Sequence, residues 1–173
     1  MADLKTGAIR KLTSEDQEEA WDGYPAWRPD GQEIMFIRLR LTPGGVVTNL
    51  MQVSSNGGEP TSLLGDDEGV TAVCYSPDGK RLALLSNRGL EVMETADLRR
   101  TVILPWSSLP QREYYAGGLA WSPTQGKIAF ALFNTELKEG ELWTVRIDGT
   151  DVEEIHRLSE EEGKITVASF IQG

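Results

Sequence analysis

Short apolar segments alternate with clusters of turn residues along the sequence. Residues 82–85 (Leu-Ala-Leu-Leu) form one such segment, and the Pro-Asp-Gly of residues 77–79 forms the cluster before it. No stretch keeps the 3.6-residue period of an amphipathic helix. Short apolar runs bounded by Gly, Pro, Asn and Asp are typical of antiparallel strands. The pattern therefore predicts an all-β chain without long helices.

One motif occurs three times, in residues 25–31, 73–79 and 119–126. It consists of a small residue, an aromatic residue, a polar residue, Pro, a turn residue and Gly, and an apolar run follows each copy. The aromatic residues of the copies are 48 and 46 residues apart, and Phe170 begins the pattern again after a further 49. Periods of this size indicate a repeat architecture. The residues that define the motif are Trp27, Pro29, Asp30, Gly31, Tyr75, Pro77, Asp78, Gly79, Trp121, Pro123 and Gly126.

Each repeat predicts a four-stranded antiparallel sheet. Pro presets φ in a tight turn, the Asp carboxylate bonds its own backbone, and Gly takes the left-handed conformation that reverses the chain. The three aromatic residues are expected at equivalent buried positions. The chain of residues 1–173 is interpreted as one partial domain, with complete units at 24–64, 71–104 and 117–158, an outer strand of a preceding unit within 1–15, and the start of another unit at 165–173.

The Tyr-Ser-Pro-Asp-Gly of residues 75–79, followed by a strand, a polar segment and a second strand, resembles the WD40-like repeats of TolB-type β-propellers. The likeness covers residues 5–173, although Thr124 and Gln125 replace the Asp in the third copy. It implies that each repeat is a propeller blade. It also implies two roles that such propellers have, as docking scaffolds for proteins and as gating domains of serine peptidases. The likeness implies no particular chemistry.

The number of repeats is small for a propeller. Propellers usually have four to eight blades, because closing the ring protects the faces of each blade. Three complete units would leave apolar faces on the first and last blades, and such faces promote association. We therefore expect the chain to belong to a larger propeller or to associate with a second copy into a dimer or larger species.

Charge and composition exclude several classes of function. The chain has 27 acidic and 17 basic residues and a net charge of −10, which disfavours a protein that tracks nucleic-acid phosphates. Cys74 is the only cysteine and His156 the only histidine, so no disulfide can form within the chain, and Cys74 is predicted to be a buried thiol. The sequence contains no Gly-x-Ser-x-Gly, Walker or Cys-x-x-Cys motif. It predicts no catalytic residues, no cofactor and no metal site.

Targeting signals are also missing from these residues. Residues 1–20 contain no apolar segment of the kind that export requires, and no apolar run is long enough to predict a membrane span. The sequence predicts a soluble chain and leaves both the periplasm and the cytoplasm open.

Acidic and aromatic residues concentrate in the segments that connect one blade to the next. If these connections share one face of the ring, the face suits a basic peptide or protein partner through charge attraction and cation–π contacts. The alternative is a solvated acidic surface on which the aromatic rings fill gaps between blades. The predicted partner-binding residues are Asp16, Glu18, Glu19, Trp21, Asp22, Asp66, Asp67, Glu68, Trp106, Tyr114 and Tyr115.

Three functions remain open from the sequence. The first is a non-catalytic propeller scaffold for protein–protein interaction. The second is the substrate-gating propeller of a larger serine hydrolase or peptidase. The third is a propeller that binds a sugar or another small ligand.

Overall fold

The computed structural model of the chain describes residues 1, 3, 5–13, 20–65, 68–109, 114–124, 126–134 and 139–158. Within this part of the chain, consecutive strands pair antiparallel into three four-stranded sheets. The prediction of an all-β chain with about three four-stranded blades is therefore confirmed. The strands are β1 (Ala20–Trp27), β2 (Glu33–Thr42), β3 (Gly45–Ser54), β4 (Thr61–Ser62), β5 (Ala72–Tyr75), β6 (Arg81–Ser86), β7 (Gly89–Glu94), β8 (Arg100–Pro105), β9 (Tyr114–Trp121), β10 (Lys127–Asn134), β11 (Glu139–Arg146) and β12 (Glu153–Leu158), and a one-turn 3-10 helix covers Trp106–Ser108.

The chain divides into two compact units, Met1–Gly69 and Val70–Gly173. The first unit contains the sheet β1–β4. The second contains the sheets β5–β8 and β9–β12, whose first strands, β5 and β9, lie beside each other. Apolar side chains from both of these sheets form one buried cluster around Phe130, which has no exposed surface. Burial of this surface is the main source of stability in the second unit.

The two sheets of the second unit also approach each other closely at the turn between β11 and β12. A Cβ atom on Gly149 would lie 2.5 Å from the carbonyl oxygen of Ile103 in β8, and Gly149 has a φ of 82°. Both the space and the backbone conformation therefore require glycine at this position.

The repeated motif occupies the same register position in each sheet. Its aromatic residue ends the first strand and pairs with the start of the second, in the pairs Trp27–Ile34, Tyr75–Leu82 and Trp121–Ile128. The corner that follows has the bonds expected from its sequence. In the second sheet the Gly79 N–H donates to the Ser76 carbonyl oxygen at 2.9 Å, and the Asp78 carboxylate accepts from the Ser76 hydroxyl and the Lys80 N–H.

Asp78 makes the second corner sensitive to pH. The bonds from the Ser76 hydroxyl and the Lys80 N–H lower the pKa of the Asp78 carboxyl below its usual value. Its stabilising contribution is therefore present above pH 4 or so and is lost as the pH falls through the lowered pKa. We expect Asp78→Asn to flatten the acid side of the curve of melting temperature against pH. An unchanged curve would show that this carboxylate does not couple the corner to pH.

The structure differs from the sequence-based expectation at both ends of the first sheet. Trp27 is 48% exposed, so the prediction that it is buried like Tyr75 is wrong. Trp27 is the last residue of β1, which is an edge strand, and other residues cover its ring only in part. In the N-terminal segment only Ile9, among the described residues before Thr13, takes part in a β-bridge, in place of the outer strand predicted within residues 1–15. Arg10 holds this segment by donating to the backbone oxygens of Ser55 and Asn56.

Candidate functional site

The predicted partner-binding residues fall in different parts of the chain. Trp21, Asp22 and Glu68 belong to the first unit, whereas Trp106, Tyr114 and Tyr115 belong to the second. Both tyrosines lie in β9, not in a connecting loop. Five of the predicted acids lie outside the described residues, so their placement stays a prediction: Asp16, Glu18, Glu19, Asp66 and Asp67.

Strand β1 exposes three large aromatic side chains. Trp21 is 56%, Tyr24 57% and Trp27 48% exposed. The sequence predicted that Trp21 and Asp22 lie in a loop, but both are part of β1. A strand holds its side chains more rigidly than a loop does. These rings would therefore lose little conformational freedom on binding a partner.

A β-bulge interrupts β1 at the middle aromatic residue. Gly23 pairs with Ile37 and Ala26 with Met35, so that Tyr24 and Pro25 together face one residue of β2. Tyr24 has a φ of 52°, the left-handed conformation that side chains other than glycine rarely adopt. This conformation costs about 1–2 kcal/mol, and such strain concentrates at functional sites. Bulges also redirect side chains, which here leaves the Tyr24 ring in solvent.

Asp22 is engaged within its own sheet. Its two carboxylate oxygens accept from Nε and Nη2 of Arg38 at 2.7 and 2.8 Å. The same bonds raise the pKa of Arg38, and its guanidinium also lies over the Phe36 ring, 5.6 Å from the centroid. Asp22 therefore does not offer the free carboxylate that the sequence-based site assumed, because its charge is neutralised at short range.

Trp106 lies in the connection between the second and third sheets, as predicted. Its indole Nε1 donates to the Ser86 carbonyl oxygen at 2.8 Å, and its ring packs against the buried cluster of the second unit. The ring is partly buried, so it stabilises the 3-10 turn after β8. This agrees with the alternative in which aromatic residues fill gaps, and binding of a partner by Trp106 stays a prediction.

A shallow cleft of about 300 Å³ lies beside β1 in the first unit. Ile34, Phe36 and Val53 form its apolar floor, and Lys11 and Asp22 lie at its rim. Its size and lining suit a small apolar group with one polar end. Because Asp22 already binds Arg38, a ligand could gain little from that carboxylate.

Two buried glutamates were missed by the sequence analysis. Glu91 in β7 is fully buried and accepts from Arg100 of β8 and from Arg88, at 2.6 Å in each case, and from the Ser86 hydroxyl. Glu141 in β11 is also fully buried, and its carboxylate accepts a hydrogen bond from the Trp143 indole N–H at 2.9 Å. The sequence signal that could have identified them is a Glu within the apolar third strand of a repeat, combined with an Arg in its fourth strand.

In the second and third sheets, these two clusters attach the fourth strand to the third strand. Arg157 of β12 reaches Glu141 at 3.2 Å, as Arg100 of β8 reaches Glu91. Since both carboxylates are paired inside their own sheets, we assign them a structural role. Removal of one partner would leave a buried charge.

The single cysteine and the single histidine of the chain lie in different sheets. Cys74 lies in β5 and His156 in β12, at opposite edges of two different sheets. Burial raises the pKa of the Cys74 thiol to about 12, as expected for the structural thiol predicted from the sequence. No three His, Cys, Asp or Glu side chains within the described ranges cluster as ligands of a metal ion. No helix in the same ranges is both long and apolar enough to cross a membrane.

Comparisons with known proteins give the fold. The sequence matches no family model and no curated protein. Among solved structures, a protein from Agrobacterium tumefaciens assigned as TolB is 18% identical, with a TM-score of 0.62 over 83% of this chain and 52% of its own. An oligogalacturonate lyase from Vibrio parahaemolyticus is 16% identical, with a TM-score of 0.62 over 91% and 46%.

A third solved structure is larger still. The acylaminoacyl peptidase of Pyrococcus horikoshii is 12% identical, with a TM-score of 0.57 over 80% of this chain and 25% of its own. The chain thus spans about half of the first two proteins or less, and a quarter of the third. These proteins differ in activity and share the propeller fold, so the likeness identifies architecture alone. The chain has the four-stranded blades of a partial β-propeller.

Proposed function

We propose that the chain is a non-catalytic, TolB-like propeller scaffold that binds a protein partner. The observation that carries this proposal is the trio of half-exposed aromatic side chains on β1, Trp21, Tyr24 and Trp27. Tyr and Trp are enriched at the energetic centres of protein interfaces, since a large ring buries much area at low entropic cost. The strained conformation of Tyr24 also supports a functional role for this strand.

Charge defines the partner further. The chain carries a net charge of −10, and four acids between residues 15 and 19 precede the aromatic strand in the sequence. A negative field of this kind attracts a basic protein or peptide and increases its rate of association. In this proposal the aromatic rings supply the lasting contacts, and the acids supply the attraction at longer range.

Kinetics of binding test the proposal. The partner is captured from a lysate of the source cells and purified, and its binding is then measured at several salt concentrations. We expect the triple change of Asp66, Asp67 and Glu68 to Asn, Asn and Gln to slow association more than it speeds dissociation, because exposed charges act over a screening length of about 8–10 Å. Trp21→Ala should mainly speed dissociation.

The matched control is the double variant Glu59→Gln, Glu153→Gln, which removes two exposed acids elsewhere. It should leave both rate constants within about twofold of the parent chain. If the triple variant and Trp21→Ala bind the captured partner as the parent chain does, the aromatic strand and the acids are a solvated surface and the proposed function is wrong.

We also propose that two copies of the chain associate. Three blades are fewer than the four to eight of a closed propeller, and the first two solved structures are about twice as long as the part they share with this chain. Sedimentation at micromolar concentration should show a dimer or a larger species. The strand predicted at Phe170, outside the described residues, would lie near residues 9–12 of the second copy. A monomer that binds no hydrophobic dye would contradict this proposal.

A further inference from the structure

The fourth strand of the first sheet covers only a small part of the third. β3 has ten residues and β4 has two, and the pairing between them covers only residues 51 and 52 of β3. In the second sheet, by contrast, the fourth strand pairs with the third from Gly89 to Met93, which is nearly all of β7. Among the described residues, no strand therefore lies along the outer edge of β3 at residues 45–49.

The backbone of these residues presents hydrogen-bonding groups at the edge. The Leu50 carbonyl oxygen accepts from the Leu63 N–H at 2.9 Å, so the backbone groups of Leu50 face away from β2. Successive residues of a strand direct these groups to opposite edges, so those of Val46 and Thr48 also face away from β2. No described residue bonds to the N–H or the carbonyl oxygen of Val46 or Thr48 at this edge. Two donors and two acceptors thus have the arrangement that an added strand requires.

Three other outer strands of the chain have features that oppose the addition of a strand. Proteins protect exposed sheet edges with charged side chains, Pro and bulges. β1 has its bulge and Pro25, β8 begins at Arg100 and ends at Pro105, and β12 contains three charged residues. Residues 45–49, Gly-Val-Val-Thr-Asn, contain no charged residue and no Pro, and their pairing with β2 has no bulge. This part of β3 therefore lacks the protection that the other outer strands have.

The uncovered edge is continuous with the aromatic surface of β1. Directly paired residues of neighbouring strands lie on the same face of a sheet. Trp21 pairs with Leu39, and Leu39 pairs with Thr48, so these three side chains form one row across the first sheet. A strand added beside β3 would place its own side chain next in this row, about 14 Å or three strand spacings from β1. A partner that contacts Trp21 is thus close enough to contact the edge as well.

We propose that residues 45–49 of β3 bind an extended, uncharged segment of a partner protein as an added strand, a role that rests on the proposed scaffold function. The backbone groups of Val46 and Thr48 select an extended segment, because the backbone groups of a helix are already bonded within the helix. The side chains at the edge, including Val46, which is 60% exposed, favour β-branched residues as cross-strand neighbours.

A second copy of the chain is a poorer occupant of this edge. Five residues of a strand span about 17 Å, and a contact between two folded chains limited to this length is much smaller than the roughly 800 Å² per partner of a stable interface. An extended segment bonds along its whole length and contacts side chains on both faces of the sheet. The association of two copies proposed above involves other residues, near 9–12 and 170.

Fluorescence anisotropy with a synthetic peptide tests the inference. The probe is Thr-Val-Thr-Val-Thr-Val-Thr with a fluorescein label. One control peptide is N-methylated on its three Val residues, which leaves the N–H groups of one edge of its backbone free. The other is N-methylated on every internal residue, which blocks both edges. We expect the probe to bind the parent chain with a Kd below about 1 mM.

The two control peptides identify the kind of contact. The peptide with one free edge should bind within about threefold of the probe, because the free edge can face β3. The peptide with both edges blocked should bind at least about tenfold more weakly. Equal affinities of all three peptides, or equal losses in both controls, would show that the peptide does not bind as an added strand.

Val46→Pro locates the site on the protein. It removes an N–H that faces the edge, and Pro is tolerated in an edge strand where the N–H has no partner. Binding of the probe should weaken by about tenfold or more. The matched control is Val102→Pro in β8, whose N–H also faces outward, since the Arg99 carbonyl oxygen accepts from Glu94 and the alternation continues to Val102. It should change the affinity less than about twofold, and equal effects of the two variants would place the probe elsewhere.

Amide hydrogen exchange reports the same contact without a substitution, and it decides the matter if Val46→Pro does not fold. The N–H groups of Val46 and Thr48 should exchange at least about tenfold more slowly when the probe is saturating, because they become bonded. The N–H of Val47 faces β2 and should change less. Unchanged exchange at Val46 and Thr48 would contradict the inference.

The natural partner separates this inference from the proposed function. A captured partner that responds to Trp21→Ala but not to Val46→Pro would leave the scaffold function intact and contradict the role of the β3 edge. Probe binding at the edge without any captured partner would contradict the scaffold function alone. If Val46→Pro turns a dimer into a monomer and leaves the affinity for the probe unchanged, the edge is an interface between copies and the inference is wrong.

Discussion

Arg100→Met should destabilise the chain by about 3 kcal/mol. The Arg100 guanidinium binds the fully buried Glu91 carboxylate through two nitrogens, at 2.6 and 3.1 Å. Methionine would fill similar space and leave the carboxylate with fewer partners in a poorly solvated position. The exposed Arg88 also binds Glu91, which keeps the expected cost at the lower end of the range for broken buried pairs. Chemical denaturation with linear extrapolation measures the loss.

Arg99→Met is the matched control. Arg99 is the neighbouring residue, and its side chain is 71% exposed. Its Nε lies 3.5 Å from Oδ2 of Asp97, which is also exposed. Exposed ion pairs contribute little, so this change should cost less than about 0.5 kcal/mol. The double variant Glu91→Leu, Arg100→Met should recover much of the loss, since it removes both buried charges. Equal effects of Arg99→Met and Arg100→Met would show that Glu91 is not a buried charge.

Trp121→Ala should also cost about 3 kcal/mol of the free energy of unfolding. The Trp121 ring is partly buried, not fully buried as predicted, and it packs against the buried cluster that both sheets of the second unit form around Phe130. Truncation would leave a cavity that close-packed neighbours fill only in part. The loss is measured by the same denaturation experiment.

Trp27→Ala provides the comparison, because Trp27 has the same register position in the first sheet and is 48% exposed. This change should cost less than about 1 kcal/mol. A small effect at Trp121, below about 1 kcal/mol, would place that ring on the surface and contradict the packing of the two sheets.

The fold could be predicted because its signals are local. Turn chemistry at the repeated corner depends on neighbouring residues, so the sequence Ser-Pro-Asp-Gly at residues 76–79 was sufficient to predict a bond pattern that the structure contains. The near-equal spacing of the three aromatic residues, 48 and 46 residues, then indicated three repeats. The third predicted unit ends at residue 158, where β12 also ends.

Features that depend on tertiary surroundings could not be predicted in the same way. The sequence has 27 acidic residues, and the residues next to Glu91 in the sequence do not distinguish it from an exposed glutamate. Its burial becomes apparent only when the Arg residue of the next strand is placed beside it. Trp27 and Trp121 share one motif, yet their exposure differs because burial depends on what covers each sheet. Asp22 looked available for a partner, and its pairing with Arg38 depends on the register of β1 and β2.

The extent of the first hairpin was underestimated for another reason. The apolar run that follows the first copy of the motif covers residues 34–37, whereas β2 continues to Thr42. Arg38 and Arg40 interrupt the apolar run, but they alternate with Ile37, Leu39 and Leu41, which is the pattern of a two-faced strand. That alternation was the available signal for the full length of β2.

Amide hydrogen exchange of the chain, alone and bound to the purified natural partner, tests the central claim most directly. The claim is that this partial propeller is a scaffold whose first sheet binds a protein. We predict that the partner slows exchange in β1, because bound surface excludes water and damps local opening. Protection confined to residues 70–158, with no change in the first sheet, would contradict the account.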